Sequence, residues 1–328
     1  MDTISSSEPH IPDLVFVNPA AGGGHAADSL PSLLAFALRC KWNVEFRMTE
    51  SVHDLRSQAA SAAAAGFFRF LVLGGDGSFQ DLVNALVDFP EAILGILPAG
   101  GGNDLADSLG LPHHPLRAAE LLQNAVVCHM DAVRAKTSDG SQRLFTGGGG
   151  VGLDAQSASI ASTTFRNLTG RLRYLLSAAL ALANYEPVQV SVHFSSGEAA
   201  PSKLEANAMI LAVLNTPSYG AGLRFAPEGS PNDGILHLVL VEDMPFLQLM
   251  KALPRLVFQG EVCSPRVKRF PVHRITIHTS TPCQFHGDGE IFGYTPVEIE
   301  VVPRAFRILC PPDSPLLSGE RTSSRRVG

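Results

Sequence analysis

The sequence predicts two units: an α/β unit with a mostly parallel sheet, then a β-rich, antiparallel, sandwich-like unit. Three observations predict this. Short apolar strands alternate with helical segments over the first third of the chain, three of those strands run into glycine-rich loops, and the pattern becomes alternating strands near Asp131. Strands alternating with helices imply βαβ units, and alternating strands imply an antiparallel sheet with one face on a core.

Residues 1–12 are polar and expected to be disordered. Leu14-Val15-Phe16-Val17 reads as a buried strand ending in Asn18-Pro19-Ala20-Ala21-Gly22-Gly23-Gly24, and a helix follows from about Ala27 to Leu38. Trp42 to Met48 alternates as a strand, and the alanine-rich stretch Val52 to Ala65 is helical. Phe70-Leu71-Val72-Leu73 is a second buried strand, running into Gly74-Gly75-Asp76-Gly77-Ser78, with a helix over Phe79 to Val87. Ile93 to Leu97 is a third, running into Pro98-Ala99-Gly100-Gly101-Gly102-Asn103-Asp104. All three loops follow carboxyl ends of strands, the edge where open α/β sheets bind ligands.

Farther on, Val188, Val190, Val192 and Phe194 alternate with Gln189, Ser191 and His193. Ala206–Leu214, Ile235–Val241, Arg274–Thr279 and Val297–Val302 are further strands, with helices expected at about Arg171–Asn184 and Pro245–Gln259. The boundaries expected are 13–132 for the α/β unit, completed by 304–312, and 133–303 for the β-rich unit; 314–328 is a polar, basic tail expected to be disordered.

With 328 residues, 45% hydrophobic and 17% charged, the chain can bury a sizeable core, and its net charge of −6 argues against a nucleic-acid partner. The five cysteines (Cys40, Cys128, Cys263, Cys283, Cys310) form no CxxC pair, which points to a reducing compartment and away from a zinc site. The N-terminal stretch lacks the basic-then-apolar pattern of a leader, and no apolar run approaches the ~18 residues of a membrane span. The expectation is a cytoplasmic location, with any membrane contact peripheral at the inner face.

Glycines after a strand let backbone N–H groups approach phosphate oxygens without Cβ obstruction. The Asn18–Gly24 loop fits either that role or a plain turn. In the second loop Asp76 can polarise a hydroxyl or hold a phosphate-bound cation and Ser78 can donate to phosphate; a tight turn with an Asx cap is the alternative. In the third loop Asn103 and Asp104 stand at a helix start, where Asp104 could simply cap the helix. Thr49, after the second strand, could reach phosphate or cap the helix beginning near Val52. Asn232-Asp233-Gly234 could be an ordinary hairpin turn. His113-His114 and the other histidines show no metal spacing. Arg166, Arg171 and Arg173 flank Leu172, Leu175 and Leu176 on a helical stretch that suits either a core helix with a charged rim or an anionic lipid surface.

Together, Asn18-Pro19-x-x-Gly22-x-Gly24, Gly74-Gly75-Asp76-Gly77-Ser78 and Pro98-x-Gly100-x-x-Asn103-Asp104 resemble the three nucleotide motifs of the diacylglycerol kinase catalytic-domain family, which includes soluble bacterial lipid kinases and the sphingosine and ceramide kinases. The resemblance continues through Asp131, Gly149-x-x-Gly152-x-Asp154-Ala155, Gly170-x-x-x-Tyr174, Asn215 through Gly220-x-Gly222, Asp233-Gly234-Ile235-Leu236 and Asp288-Gly289-Glu290, covering about residues 13–311. Ser78 replaces the family's usual threonine and Asp81 a common glutamate, both conservatively. Gly101 replaces a threonine and loses a hydroxyl.

The resemblance implies an ATP-dependent lipid kinase that transfers the γ-phosphate to a lipid hydroxyl, diacylglycerol or a related lipid, with ATP in the cleft between the two units. Asn18, Gly22, Thr49, Gly74, Gly75, Asp76, Gly77, Ser78, Gly100 and Asn103 would line the nucleotide. Asp104, Asp131 and Asp288 would form a magnesium network. A second, structural magnesium would be held by Asp233 and the carbonyls of Ser230 and Ile235. Asp288 is the expected general base with Asp76 its rival, and Glu290 is expected to orient a partner. A homodimer is compatible with this reading. The alternatives are a small-molecule kinase of the NAD kinase or phosphofructokinase type, since both carry Gly-Gly-Asp-Gly, and a non-catalytic nucleotide-binding regulator.

Overall fold

The computed structural model describes residues 11–164, 177, 180–181, 187–196, 202–220, 222–243 and 265–317. Most of the helix expected at Arg171–Asn184, with its arginines, the whole of that at Pro245–Gln259, and most of both termini lie outside the described residues.

The first unit is built as β1 (Asp13–Val17), α1 (His25–Cys40), β2 (Val44–Met48), α2 (Val52–Ala64), β3 (Arg69–Gly74), α3 (Asp76–Ala85) and β4 (Ile93–Pro98). The strands lie side by side as β2-β1-β3-β4, all parallel. Leu14–Val17 and Phe70–Leu73 are buried along their whole length. That is why these segments are continuously apolar: helices cover both faces of a parallel sheet. Helix α3 starts three residues earlier than its apolar pattern suggests, so Asp76 lies in its first turn rather than in a loop. Ser51, whose side chain accepts from the Asp54 N–H, caps α2.

Two short helices follow, α4 (Asp104–Leu109) and α5 (Pro115–Leu122), and then the strands β5 (Val126–Lys136), β6 (Gln142–Phe145) and β7 (Gly148–Gly152). After α6 (Leu153–Thr163) come β8 (Val188–Ser195), β9 (Ser202–Leu214), β10 (Leu236–Glu242), β11 (Val267–Val272), β12 (Arg274–Thr279), β13 (Gln284–Gly287), β14 (Glu290–Tyr294) and β15 (Val297–Cys310). Their mutual pairings are antiparallel. On β9, Leu211 and Val213 face one apolar cluster while Ala212 and Leu214 face another, and β10 divides its residues in the same way. A strand covered on both faces gains stability from apolar residues at every position.

One strand pair joins the two units. β15 pairs with β5 antiparallel along its length, with β12 at Val297–Glu300, and with β4 in parallel at Arg307–Ile308. The β5–β15 register breaks at a bulge between Val302 and Phe306, where Arg304 takes φ 51°. Asp131 braces this break: its carboxylate accepts from the Arg304 N–H and the Gly234 N–H, both at 2.7 Å.

Candidate active site

The three glycine-rich loops pack on one another at the carboxyl edge of the parallel sheet. Asn18 Nδ2 donates to Ser78 Oγ at 2.9 Å, tying the first loop to the second. A Cβ on Gly22 (φ 60°) would stand 2.1 Å from the Ala99 carbonyl oxygen, and one on Gly100 would stand 2.6 Å from Gly75 Cα. These glycines are therefore required by close backbone approach as well as by turning. Asn103 (φ 60°) stitches the third loop, accepting from the Gly100 N–H and donating to the Gly100 carbonyl. The first-turn N–H groups of α3 have no partner within the helix, and they face the ligand edge beside Gly75 and Gly77.

Thr49 stands apart from this arrangement. It is buried, and its hydroxyl donates to the Val17 carbonyl at 3.0 Å, which ties β2 to β1. Its one donor is spent there rather than offered to a phosphate. With Ser51 capping α2, neither role expected of Thr49 matches its geometry.

Three carboxylates gather across the cleft. Asp76 accepts from the N–H groups of Asp104 and Leu105, at 3.3 and 3.1 Å. Asp104 Oδ1 accepts from the Gly222 N–H of the second unit at 2.7 Å. Burial, then the charges of Asp104 and Asp288, push Asp76 up to about 7. Burial also raises Asp288, against four hydrogen bonds that lower it. Its Oδ1 accepts from the Gly147 and Gly148 N–H groups, and its Oδ2 from the N–H and hydroxyl of Thr146, all between 2.8 and 3.1 Å. A carboxylate offers about four acceptor sites, and each is matched here. Only the Thr146 hydroxyl can leave by a side-chain rotation. Asp288 itself takes φ 49°, a conformation tolerated by Asp at tight turns. Glu290, two residues on, is ion-paired with Arg143.

Asp131 does not join Asp104 and Asp288. Its partners are the two backbone amides at the β5–β15 bulge, and its acidic neighbour is Asp233, whose carboxyl is raised by burial and then by the Asp131 charge. The sequence grouped Asp131 with Asp104 and Asp288 by motif order; its place on β5 depends on the late strand β15. Asp233 Oδ1 accepts from the Ile235 N–H at 2.9 Å, and the Ser230 carbonyl accepts from the Asp233 N–H at 3.3 Å. This is an Asx-type turn leading into β10, with two acids near one another.

Several residues that hold the site were given no role from the sequence, although Asn215 and Tyr219 lie in a stretch that carries the resemblance. On α3, Gln80 Nε2 donates to the Gly287 carbonyl, while Asn84 donates to the Leu144 carbonyl and accepts from its N–H. Asn215 Nδ2 donates to the carbonyls of Asp131 and Thr146. Tyr219 and His286 share a hydrogen bond of 2.6 Å. Gln80 and Asn84, four apart on a helix that buries Phe79, Leu82 and Val83, were the legible signal.

Among the described residues, no three acid, histidine or cysteine side chains converge at metal-ligand spacing. Magnesium does not require such a cage, since one or two carboxylates with substrate phosphates and waters suffice. Asp76 and Asp104 fit that donor set, because a cation would relieve the mutual repulsion that raises Asp76. Asp288, with its acceptor sites matched, fits it less well.

Two family models match the chain: the diacylglycerol kinase catalytic domain over residues 12–135, and the YegS C-terminal NAD kinase beta sandwich-like domain over residues 149–310. A diacylglycerol kinase of Mycobacterium tuberculosis is 28% identical over 90% of this chain and 93% of its own length. A diacylglycerol kinase of Bacillus subtilis is 23% identical over 90% and 95%. The crystal structure of a diacylglycerol kinase from Bacillus anthracis superposes with a TM-score of 0.67 at 22% identity, covering 92% of this chain and 97% of that one, a likeness of fold.

Proposed function

Because the chain belongs to the diacylglycerol kinase catalytic-domain family and is a kinase, we propose that it transfers the γ-phosphate of ATP to the hydroxyl of a lipid, diacylglycerol or a close relative. The observation that carries this reading is the facing of two parts: three interlocked glycine-rich loops at the start of α3, and the Asp288-Gly289-Glu290 loop held opposite them.

Phosphoryl transfer is mostly positioning and charge neutralisation. The amides of Gly75 to Ser78 and the α3 N-terminus hold phosphate oxygens. Asp76 and Asp104 would hold magnesium, which would supply neutralisation of phosphate charge. Asp288 accepts the proton of the acceptor hydroxyl at Oδ2, where that hydroxyl takes the place of Thr146 Oγ1. None of the described helices is long and apolar enough to cross a membrane.

The test is to incubate the protein with labelled ATP, magnesium and a total lipid extract, with NAD and sugar phosphates as rival acceptors. A labelled lipid identified by mass is the expected product. Label in NAD or a sugar phosphate would assign the small-molecule reading instead, and ATP binding without turnover would assign a regulator.

The Asp233 turn gives a separate prediction. If Asp233 with the Ser230 and Ile235 carbonyls holds a structural magnesium, the ion raises the melting temperature of the wild type, and Asp233→Ala abolishes that rise. Melting curves with and without magnesium decide the matter, and an undiminished magnesium response in the variant assigns Asp233 to the turn alone.

A further inference from the structure

Beside the phosphate loop lies a chain of four charges drawn from four elements. Arg56 on α2 donates through Nε and Nη2 to Asp81 Oδ1, at 3.2 and 2.7 Å. Arg143 on β6 lies 3.7 Å from the same oxygen and donates to Glu290 Oε2 at 3.0 Å. The Asp81 side chain is only 4% exposed. The Arg143 guanidinium lies over the Phe292 ring, 4.5 Å from its centre, so it is held by its face as well as its edge.

Glu290 is the member that meets the nucleotide loop. Its Oε1 stands 3.5 Å from where a Cβ on Gly77 would project. A carboxylate at that spot, left to itself, would repel any phosphate seated on the α3 amides. Arg143 cancels that charge and fixes its direction. The same short segment that carries Arg143 also supplies the Thr146, Gly147 and Gly148 amides that cradle Asp288, so the stretch 143–148 holds both acids of the Asp288-Gly289-Glu290 loop.

We propose that Arg143, braced by Asp81 and Arg56, is a positioning residue that neutralises and orients Glu290 beside Gly77 and thereby keeps the phosphate loop open to a polyphosphate. The inference rests on ATP being the nucleotide, as argued above. It concerns nucleotide affinity, so it can be read without any lipid turnover.

The experiment measures the ATP dissociation constant by calorimetry, alongside KM for ATP in the lipid-labelling assay, for wild type, Arg143→Met, Arg143→Lys, Glu290→Gln and the Arg143→Met/Glu290→Gln double variant. Melting temperatures check that each is folded. Arg143→Met leaves an uncancelled carboxylate at the loop and weakens ATP roughly tenfold, as expected for a like charge a few ångströms from phosphate in a partly screened cleft. Adding Glu290→Gln removes that charge and restores ATP affinity to within about threefold of wild type, although turnover remains that of Glu290→Gln. Arg143→Lys keeps the charge and binds ATP nearly as wild type does. A double variant as weak for ATP as Arg143→Met alone overturns the inference, as does an Arg143→Met variant with unchanged affinity. A wild type that binds ATP with this pattern but labels no lipid overturns the kinase reading and leaves the Arg143 assignment standing.

Discussion

Asp76→Asn is expected to lose roughly 10²–10³-fold in turnover, the scale of removing one preorganised electrostatic group from the reacting centre, while gaining stability relative to wild type as pH rises. The gain follows from the raised carboxyl. With a folded value of about 7 against 3.8, the folded chain holds a proton that the unfolded chain releases between these pH values. Wild-type stability therefore falls as pH rises from about 4 to 7, and Asn, which does not titrate, escapes that fall. The interval caps the effect at about 4 kcal/mol. Since Asp76 keeps partial access to solvent, the variant should gain about 1–2 kcal/mol on wild type between pH 4 and pH 8, set against a pH-independent cost because Asn turns an NH₂ group toward the N–H of Asp104 or Leu105. Denaturant titrations at both pH values in magnesium-free buffer measure it, and magnesium should narrow the gap by stabilising the ionised wild type. A folded variant with near wild-type turnover removes Asp76 from the mechanism.

Asp288→Asn is expected to lower turnover by about 10²–10⁴-fold, the usual size of general-base catalysis, with ATP affinity roughly retained because the phosphate loops are untouched. The cradle adds a second consequence. Asn keeps one acceptor oxygen but turns an NH₂ group toward N–H donors, either those of Gly147 and Gly148 or that of Thr146. The mismatch should cost about 1–3 kcal/mol, seen as a lower melting temperature. Asp288→Ala, which cannot clash in that way, separates the two effects: both variants should be equally inactive. If ATP affinity collapses together with turnover, Asp288 is a metal ligand rather than the base. If turnover stays within a few-fold of wild type, Asp76 inherits the assignment.

The parallel sheet was legible because each of β1, β3 and β4 is buried on both faces and therefore apolar throughout, then stops at a glycine loop. The loops were legible for the same local reason. What escaped the sequence was whatever depends on distant partners. β7, Gly148–Gly152, carries no strand pattern because glycine is depleted in strands. Yet a Cβ on Gly148 would strike Leu214 at 2.5 Å, and one on Gly149 the His286 carbonyl at 2.3 Å, so the glycines make room for the neighbouring strands β9 and β13. Helices α4 and α5 are too short to build a period. Thr49 and Asp131 were drawn toward the ligand by motif order, whereas their hydrogen bonds tie strands together. Arg143 carried no local signal, since its meaning lies in Asp81 and Glu290, which the fold alone brings to it.

The pairing of β15 has a consequence for the order in which the molecule can be assembled. The first unit is encoded early, but its sheet is finished by β15, which leaves the ribosome only after the strands of the β-rich unit. A chain ending at Lys136 would carry β1 to β5 with Ile93 and Leu94 on an uncovered edge and residues 126–130 without the partners that 306–310 provide. Bare edges of this kind invite pairing with other chains, and contacts so distant in sequence form slowly. The nascent protein must therefore hold an incomplete sheet while the β-rich unit is being made, and the two units, though separable on paper, become native together.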